Sequence, residues 1–107
     1  MCRHQLVELE AYLDAFREQK TEIIAVTSDR RHILEETAVR LDLSFPMLAD
    51  PDLTMTILYG VLHPIQFLPR PAVFIIDQTG TIQYRYIGRG VHDRPPAEAL
   101  VDILKHL

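Results

Sequence analysis

The sequence predicts an α/β sandwich with a mixed sheet, and three observations lead to that class. Amphipathic helical segments alternate with short apolar runs along the first half of the 107-residue chain. Two later apolar runs, residues 72–77 and 81–87, are joined by a turn that ends at Gly80, as is typical of an antiparallel hairpin. An amphipathic segment follows the hairpin. Helices packed on a sheet with parallel and antiparallel neighbours give this fold class.

The first half of the chain is predicted to hold two helices and two strands. Apolar residues at steps of three and four predict an opening helix of about 17 residues. Residues 22–27 form a nearly continuous β-branched run, typical of a strand covered on both faces. Ser28 and Asp29 offer cap chemistry for a helix over residues 30–41. Residues 45–49 are predicted to be short and extended.

A third, short helix is predicted next, followed by a loop, the hairpin and a last helix. Asp50 as N-cap and Pro51 at the first helical position predict the start of the short helix, and Gly60 predicts a left-handed C-cap. Residues 61–71 contain three prolines and are predicted to be a loop. The last helix is expected to turn four apolar side chains inward: Leu100, Ile103, Leu104 and Leu107.

Composition excludes several classes of function. The chain is 48% hydrophobic and 24% charged with a net charge of −4, which predicts a globular protein without a nucleic-acid surface. No apolar run has the length of a membrane span and no signal peptide is recognisable, so a cytoplasmic location is expected. One cysteine allows neither an internal disulfide nor a cysteine-based zinc site, and the histidines lack metal-ligand spacing. No metal or cofactor is predicted.

Cys2 is the principal candidate for chemistry. It stands at the start of the first predicted helix, where unpaired backbone N–H groups and the helix dipole favour a thiolate. His4 lies within one turn and is a candidate for lowering the pKa of the thiol, or a surface histidine. Reactive cysteines of this kind usually have a partner cysteine and a strand leading into them, and both would lie before Met1.

Six blocks in order resemble the thioredoxin-fold peroxiredoxins of the alkyl hydroperoxide reductase and thiol-specific antioxidant group. The resemblance covers nearly the whole chain. The blocks are CRHQLVEL at 2–9, IAVTSD at 24–29, FPMLADP at 45–51, YGV at 59–61, RPAVFIID at 70–77 and GTI at 80–82. By this resemblance the chain is a single thioredoxin-like domain, residues 1–107, that is truncated at its N-terminus and lacks the first, central strand of its sheet.

The resemblance also implies a mechanism and a departure from it. In the most similar subgroup a strand runs into Trp-Cys-Pro-x-Cys-Arg, and Cys2 matches the second cysteine of that motif. The first cysteine attacks the peroxide and becomes a sulfenic acid, which the second resolves to a disulfide. This chain has no counterpart of the first cysteine. Three interpretations of Cys2 stay open: an exposed residue without special reactivity, a thiol with residual redox chemistry, and an efficient peroxidatic thiol.

Arg70, Pro71 and His63 are the other candidate site residues. Pro71 matches the position of a proline that is cis in thioredoxin-like folds and packs against the active-site cysteines, so a cis Arg70–Pro71 bond is expected, with a trans proline at a strand start as the alternative. Arg70 is one position from the arginine that many peroxiredoxins use to stabilise the thiolate. A solvated or salt-bridged arginine is the alternative. His63 is a candidate for the substrate entrance.

The missing strand has a structural consequence. In the thioredoxin topology it would lie between the strands at 22–27 and 72–77, leaving a gap of about 9 to 10 Å. Those strands are expected to pair directly, to receive a strand from another chain, as in a homodimer, or to leave the fold marginal.

Two functions are considered from the sequence and the resemblance. The first is a thiol oxidoreductase that acts on hydroperoxides with a reductant of the thioredoxin or glutathione type. The second is a non-catalytic module for protein interaction.

Overall fold

The computed structural model describes residues 3–90 and 92–107. In that part of the chain, helices and strands follow one another in the predicted order. The elements are α1 (Arg3–Ala11), α2 (Leu13–Glu18), β1 (Ala25–Thr27), α3 (Arg31–Arg40), β2 (Met47–Ala49), α4 (Thr54–Leu58), β3 (Ala72–Ile76), β4 (Ile82–Ile87) and α5 (Ala97–Lys105). The predicted α/β class is confirmed, with parallel and antiparallel strand pairs.

The strands form two separate pairs. β1 and β2 are parallel, with Ala25 opposite Met47, and β3 and β4 are antiparallel, with Val73 opposite Tyr86. Over residues 3–90 and 92–107 no ladder joins β1 to β3. The direct pairing considered from the sequence is therefore absent, and the mixed sheet is divided where the central strand was expected.

Two clusters of buried side chains hold the layers together. The first consists of Phe16, Ala97, Leu100 and Val101, and it joins α2 to α5. The second consists of Leu6, Leu13 and Phe45, and it joins α1 and α2 to the segment before β2. Val73 of β3 packs on the first cluster and Met47 of β2 on the second, so burial of apolar surface fixes α1, α2 and α5 against residues of both strand pairs.

Several predicted boundaries were wrong. The opening helix is interrupted at Tyr12, whose φ of −99° and ψ of 8° leave the helical range. β1 covers only half of the run predicted as a strand. Ile24, just before it, and Val26 within it are exposed rather than covered on both faces. In α5, Leu104 packs on the first cluster, but Leu107 lies beyond the helix and is exposed.

The start of α4 also differs from the prediction. Pro51 belongs to a turn, and α4 begins at Thr54 after Leu53, which adopts a left-handed φ of 62°. Asp50 still caps the helix, because its carboxylate reaches forward to the N–H groups of Met55 and Thr56. The predicted left-handed C-cap is confirmed, since Gly60 has a φ of 72°.

Neither α3 nor α5 is capped by the side chain of the residue directly before it. Asp29, predicted as cap chemistry for α3, instead accepts a hydrogen bond from the Thr27 hydroxyl at 3.0 Å. The residue before α3 is Arg30, which makes no side-chain cap. At α5 the cap comes from a distant residue: Glu8 Oε1 accepts from the Ala97 N–H at 2.5 Å.

Candidate functional site

The helix that follows Cys2 is fixed from two sides. Cys2 itself lies outside the described residues, and α1 begins at the next residue. Glu8 on α1 holds the first N–H of α5, and Glu10 accepts a hydrogen bond from the N–H of Ser44 in the loop before β2. Both carboxylates therefore position α1 against the rest of the fold, and neither was singled out from the sequence.

Arg70 and Pro71 lie at the entrance to β3. The Arg70 N–H donates to the Val61 carbonyl at 2.8 Å, and the Pro71 carbonyl accepts from the Gly88 N–H at 2.7 Å. The expectation of a cis Arg70–Pro71 bond was wrong, since no peptide bond in the described ranges is cis. The trans alternative holds, because Pro71 directly precedes β3 and needs no N–H there.

The side chain of Arg70 has unused hydrogen-bonding capacity. Its Nε is buried and has no hydrogen-bond partner within residues 3–90 and 92–107. No carboxylate among those residues forms an ion pair with Arg70, unlike Arg31, which pairs with Glu35. A buried guanidinium N–H without an acceptor is costly, and an anion or a lone-pair oxygen would relieve that cost.

His63 is used inside its own loop. Its Nδ1 accepts hydrogen bonds from the N–H groups of Ile65 and Gln66, at 3.2 and 3.1 Å. A neutral imidazole that accepts at Nδ1 carries its proton on Nε2, so one donor remains for another group. A bridge between Leu62 and Pro69 closes the loop. His63 is the first residue inside the loop, and Arg70 is the first residue after it. No hydrogen bond joins those two side chains in the part of the molecule described.

The hydrogen bonds of Asp93, in the loop next to Pro71, were not predicted from the sequence. The Asp93 carboxylate accepts from the Tyr86 hydroxyl and from the Arg89 N–H, and these bonds hold the loop after β4. The bond from Tyr86, followed by that from Arg89, lowers the pKa of Asp93, and the same bond to Asp93 raises the pKa of Tyr86. Gly88, which binds Pro71, was the available sequence signal for a close approach.

Gly88 has no room for a side chain. A Cβ at Gly88 would lie 2.0 Å from the Asp93 carbonyl oxygen and 3.2 Å from that of Pro71. The backbone of the Asp93 loop therefore packs directly on the residue that binds Pro71. This contact connects the entrance of β3 to the loop after β4.

Asp50 organises a second polar cluster, at the carboxyl ends of β1 and β2. Its N–H donates to the Thr27 carbonyl at 2.6 Å, and Oδ2 accepts from both the N–H and the hydroxyl of Thr56 at 2.9 Å. Burial alone would raise the pKa of Asp50, but the hydrogen bonds from Thr56 and Met55 outweigh it and lower the pKa. The cluster fixes α4 at the end of the first strand pair.

The described residues form neither a metal-binding cluster nor a membrane-spanning helix. No group of three or more His, Cys, Asp or Glu side chains in ranges 3–90 and 92–107 could hold a metal ion. Among the same residues, none of the helices has the length and apolar character needed to cross a membrane.

The chain matches proteins of known family. Residues 1–85 match the model of the AhpC/TSA family. Peroxiredoxins from Methanococcus vannielii and Methanococcus maripaludis are each 30% identical to it over 90 residues, which is 78% of this chain and 42% of theirs. The chain thus spans less than half the length of these curated relatives.

Solved structures share the fold. Enterococcus faecalis AhpC is 26% identical with a TM-score of 0.88, and the match covers 98% of this chain and 65% of that one. Mycobacterium tuberculosis AhpC is 22% identical with a TM-score of 0.85, over 98% of this chain and 60% of that one. The thioredoxin-like peroxiredoxin fold that the sequence resembles is confirmed. With more than half of its residues matched by the family model, the chain belongs to the AhpC/TSA family.

Proposed function

We propose that this chain carries peroxiredoxin-like thiol chemistry, the reduction of hydroperoxides through the Cys2 thiol. The Cys2 thiolate attacks one peroxide oxygen, the O–O bond breaks, and the leaving alkoxide or hydroxide takes up a proton to give an alcohol or water. Cys2 is left as a sulfenic acid. Membership of the AhpC/TSA family supports this reaction class.

A thiol reductant completes the cycle. One thiol of a reductant of the thioredoxin or glutathione type condenses with the sulfenic acid, which releases water and forms a mixed disulfide. A second thiol displaces Cys2 and leaves as part of an oxidised disulfide. We place this cycle in the cytoplasm, where such reductants are kept reduced.

The observation that carries the proposal is the buried, unpartnered Nε of Arg70. A guanidinium without a carboxylate partner among the described residues is suited to an anionic thiolate or to the oxygen on which charge develops as the O–O bond breaks. Pro71 holds the backbone beside it through its bond to Gly88. His63, with Nε2 still able to donate, is assigned to the side of the loop through which the substrate enters.

The test is hydroperoxide consumption with dithiothreitol as reductant. Cys2→Ser is expected to abolish turnover. Arg70→Met is expected to lower the rate by about 10²-fold, the scale for removing one donor to developing charge, and to raise the pKa of the Cys2 thiol. Arg40→Met is the matched control, since Arg40 is exposed at the end of α3. Equal rates for the unmodified chain and Cys2→Ser would refute the proposal.

A further inference from the structure

The base of the loop over residues 62–69 is fixed by the main chain. Leu62 and Pro69 face each other in an antiparallel bridge, and just outside it the Arg70 N–H donates to the Val61 carbonyl at 2.8 Å. Both contacts lie directly before β3, which begins two residues after Arg70. The conformation of the loop therefore bears on the position of Arg70.

The tip of the loop depends on the side chain of His63. Its Nδ1 accepts from the N–H groups of Ile65 and Gln66, at 3.2 and 3.1 Å. Within residues 3–90 and 92–107, no backbone carbonyl accepts from either N–H. The main chain of His63 adds two bonds, since its N–H donates to the Leu68 carbonyl and its carbonyl accepts from the Phe67 N–H, at 2.9 and 3.0 Å.

Apolar burial contributes little to the closed form of this loop. Ile65 is 80% exposed, Phe67 64% and Leu68 54%, so these side chains remain largely in water. Phe67 also has a φ of 53°, a left-handed conformation that is unfavourable for a residue with a Cβ. Hydrogen bonds must offset this strain, so the loss of an acceptor would let the tip open.

Only the neutral imidazole of His63 can provide the acceptor. With its proton on Nε2, the ring keeps a lone pair on Nδ1, whereas both nitrogens of an imidazolium carry protons and donate. Protonation would direct an N–H of the ring at the N–H groups of Ile65 and Gln66, which replaces two attractions by two repulsions. Histidine is the side chain whose ordinary charge change falls between about pH 5 and pH 8.

The stretch around the loop does not stabilise an imidazolium. Arg70 is the only other charged residue over residues 53–76, which include α4 and β3, and its charge has the same sign. Tyr59 in this stretch packs edge to face on Phe74, with 4.9 Å between the ring centroids. No carboxylate in the described part of the chain forms an ion pair with His63.

The carboxylates on either side of this stretch are exposed or already used. Asp52 is exposed in the turn before α4. Asp50 binds the N–H groups at the start of α4, and Asp77 binds those of the hairpin turn. A positive charge on the ring of His63 thus has no counterpart that would hold the loop closed.

We propose that residues 62–69 form a pH-sensitive clasp, closed while His63 is neutral and opened when its Nδ1 takes up a proton from water. On opening, the two N–H groups of the tip turn to water and Phe67 leaves the left-handed region. The bridge at the base is then left without the support of the tip. The clasp uses no atom of Cys2, so it is independent of the proposed peroxide chemistry.

NMR spectroscopy of the whole 107-residue chain is the primary measurement. At about pH 8, the ring nitrogens of His63 are expected to show a proton on Nε2 and none on Nδ1. Amide protection factors correct for the intrinsic effect of pH on exchange. At Ile65 and Gln66 they are expected to fall by about tenfold between about pH 8 and about pH 5, in step with the titration of the ring.

The hairpin turn provides an internal control. There Asp77 Oδ1 accepts from the N–H groups of Thr79 and Thr81, at 2.9 and 3.0 Å, so one side-chain atom again holds two N–H groups. Hydrogen bonds from the side chains of Thr79 and Gln83 hold the pKa of Asp77 well below its ordinary value. This acceptor stays ionised over the range tested, so protection at Thr79 and Thr81 is expected to be equal at both pH values.

His63→Asn separates the acceptor from the charge. The Oδ1 of an asparagine accepts from N–H groups two or three residues further on and does not titrate, so protection is expected to persist at both pH values. His63→Ala has no acceptor and is expected to show low protection at both. His32→Asn, at an exposed position of α3, is the matched control and is expected to keep the pH response of the unmodified chain. If circular dichroism shows that His63→Ala is unfolded, the unmodified chain and His63→Asn decide.

Three results would overturn the proposal. The first is unchanged protection at Ile65 and Gln66 while the ring of His63 titrates. The second is a proton on Nδ1 at about pH 8, which would leave the ring without its acceptor. The third is an acid loss of protection that also occurs at Thr79 or in the His63→Asn variant, because the cause would then be a general loosening of the fold.

Discussion

The Tyr86 hydroxyl donates a hydrogen bond to the Asp93 carboxylate and so ties the end of β4 to the loop that backs Pro71. The bond favours an ionised Asp93 and a neutral Tyr86. The bond therefore lowers the pKa of Asp93 from its ordinary 3.8 and raises the pKa of Tyr86 from its ordinary 10.0.

This pair predicts a pH window of stability. A lowered pKa in the folded state means that the contribution of Asp93 is complete above its unfolded value and is lost as the pH falls through the folded value below 3.8. The contribution of Tyr86 is complete below 10.0 and is lost as the pH rises through its higher folded value. In the Tyr86→Phe variant, we expect the free energy of unfolding to fall less steeply at both the acidic and the alkaline end. The measurement is urea unfolding at a series of pH values. Tyr12→Phe is the control, and a pH profile unchanged by Tyr86→Phe would contradict the assignment.

Gly88→Ala is expected to destabilise the chain. A Cβ there would lie 2.0 Å from a backbone oxygen of Asp93, so the loop must move. Overpacking of this kind costs about 1 to 3 kcal/mol. Gly90→Ala is the matched control, because nothing lies within 4 Å of a Cβ at Gly90. Equal denaturation midpoints for the two variants would show that the Asp93 loop moves without loss of stability, and would contradict this prediction.

Thr56→Val tests the cluster around Asp50. The hydroxyl of Thr56 is buried and donates to Asp50 Oδ2 at 2.9 Å, and valine keeps its shape without the donor. A hydrogen bond to a charged group contributes about 1.5 to 3 kcal/mol, so the free energy of unfolding is expected to fall by that order. Thr54→Val, at an exposed position in the same helix, is expected to change it little. The measurement is chemical denaturation at neutral pH.

Leu100→Ala is expected to cost about 2 to 5 kcal/mol, as is usual for a buried leucine. Leu100 is 4% exposed in the cluster with Phe16, whereas Leu107 is 61% exposed beyond the end of α5. Leu107→Ala is therefore the control and is expected to be close to neutral. Thermal unfolding of both variants checks the assignment of the inward face of α5.

Local features of the fold were predictable because they depend on neighbouring residues. Gly60 and Gly80 have φ values of 72° and 86°, and only glycine adopts such angles at little cost. The hairpin of β3 and β4 follows from its apolar alternation and its turn. The order of elements and the family resemblance were correct for the same reason, since each motif is contiguous in sequence.

Features that depend on contacts beyond the next few residues were not predictable. The start of α4 was misplaced because the Asp50 carboxylate reaches Met55 and Thr56, beyond the span of an ordinary cap. The cap of α5 comes from Glu8, which no local pattern connects to Ala97. Arg70 and Pro71 were found through the resemblance, but the isomer of their bond was wrong, because a trans bond meets the requirements of a strand start equally well.

The bond between Glu8 and Ala97 joins α1 to a helix that lies 89 residues further along the sequence. During synthesis α1 leaves the ribosome well before α5, so this bond forms only after α5 has been made. Contacts between residues so far apart in sequence form late and slow the folding reaction. The contact between α1 and α5 is therefore expected to form later in folding than the local hairpin of β3 and β4.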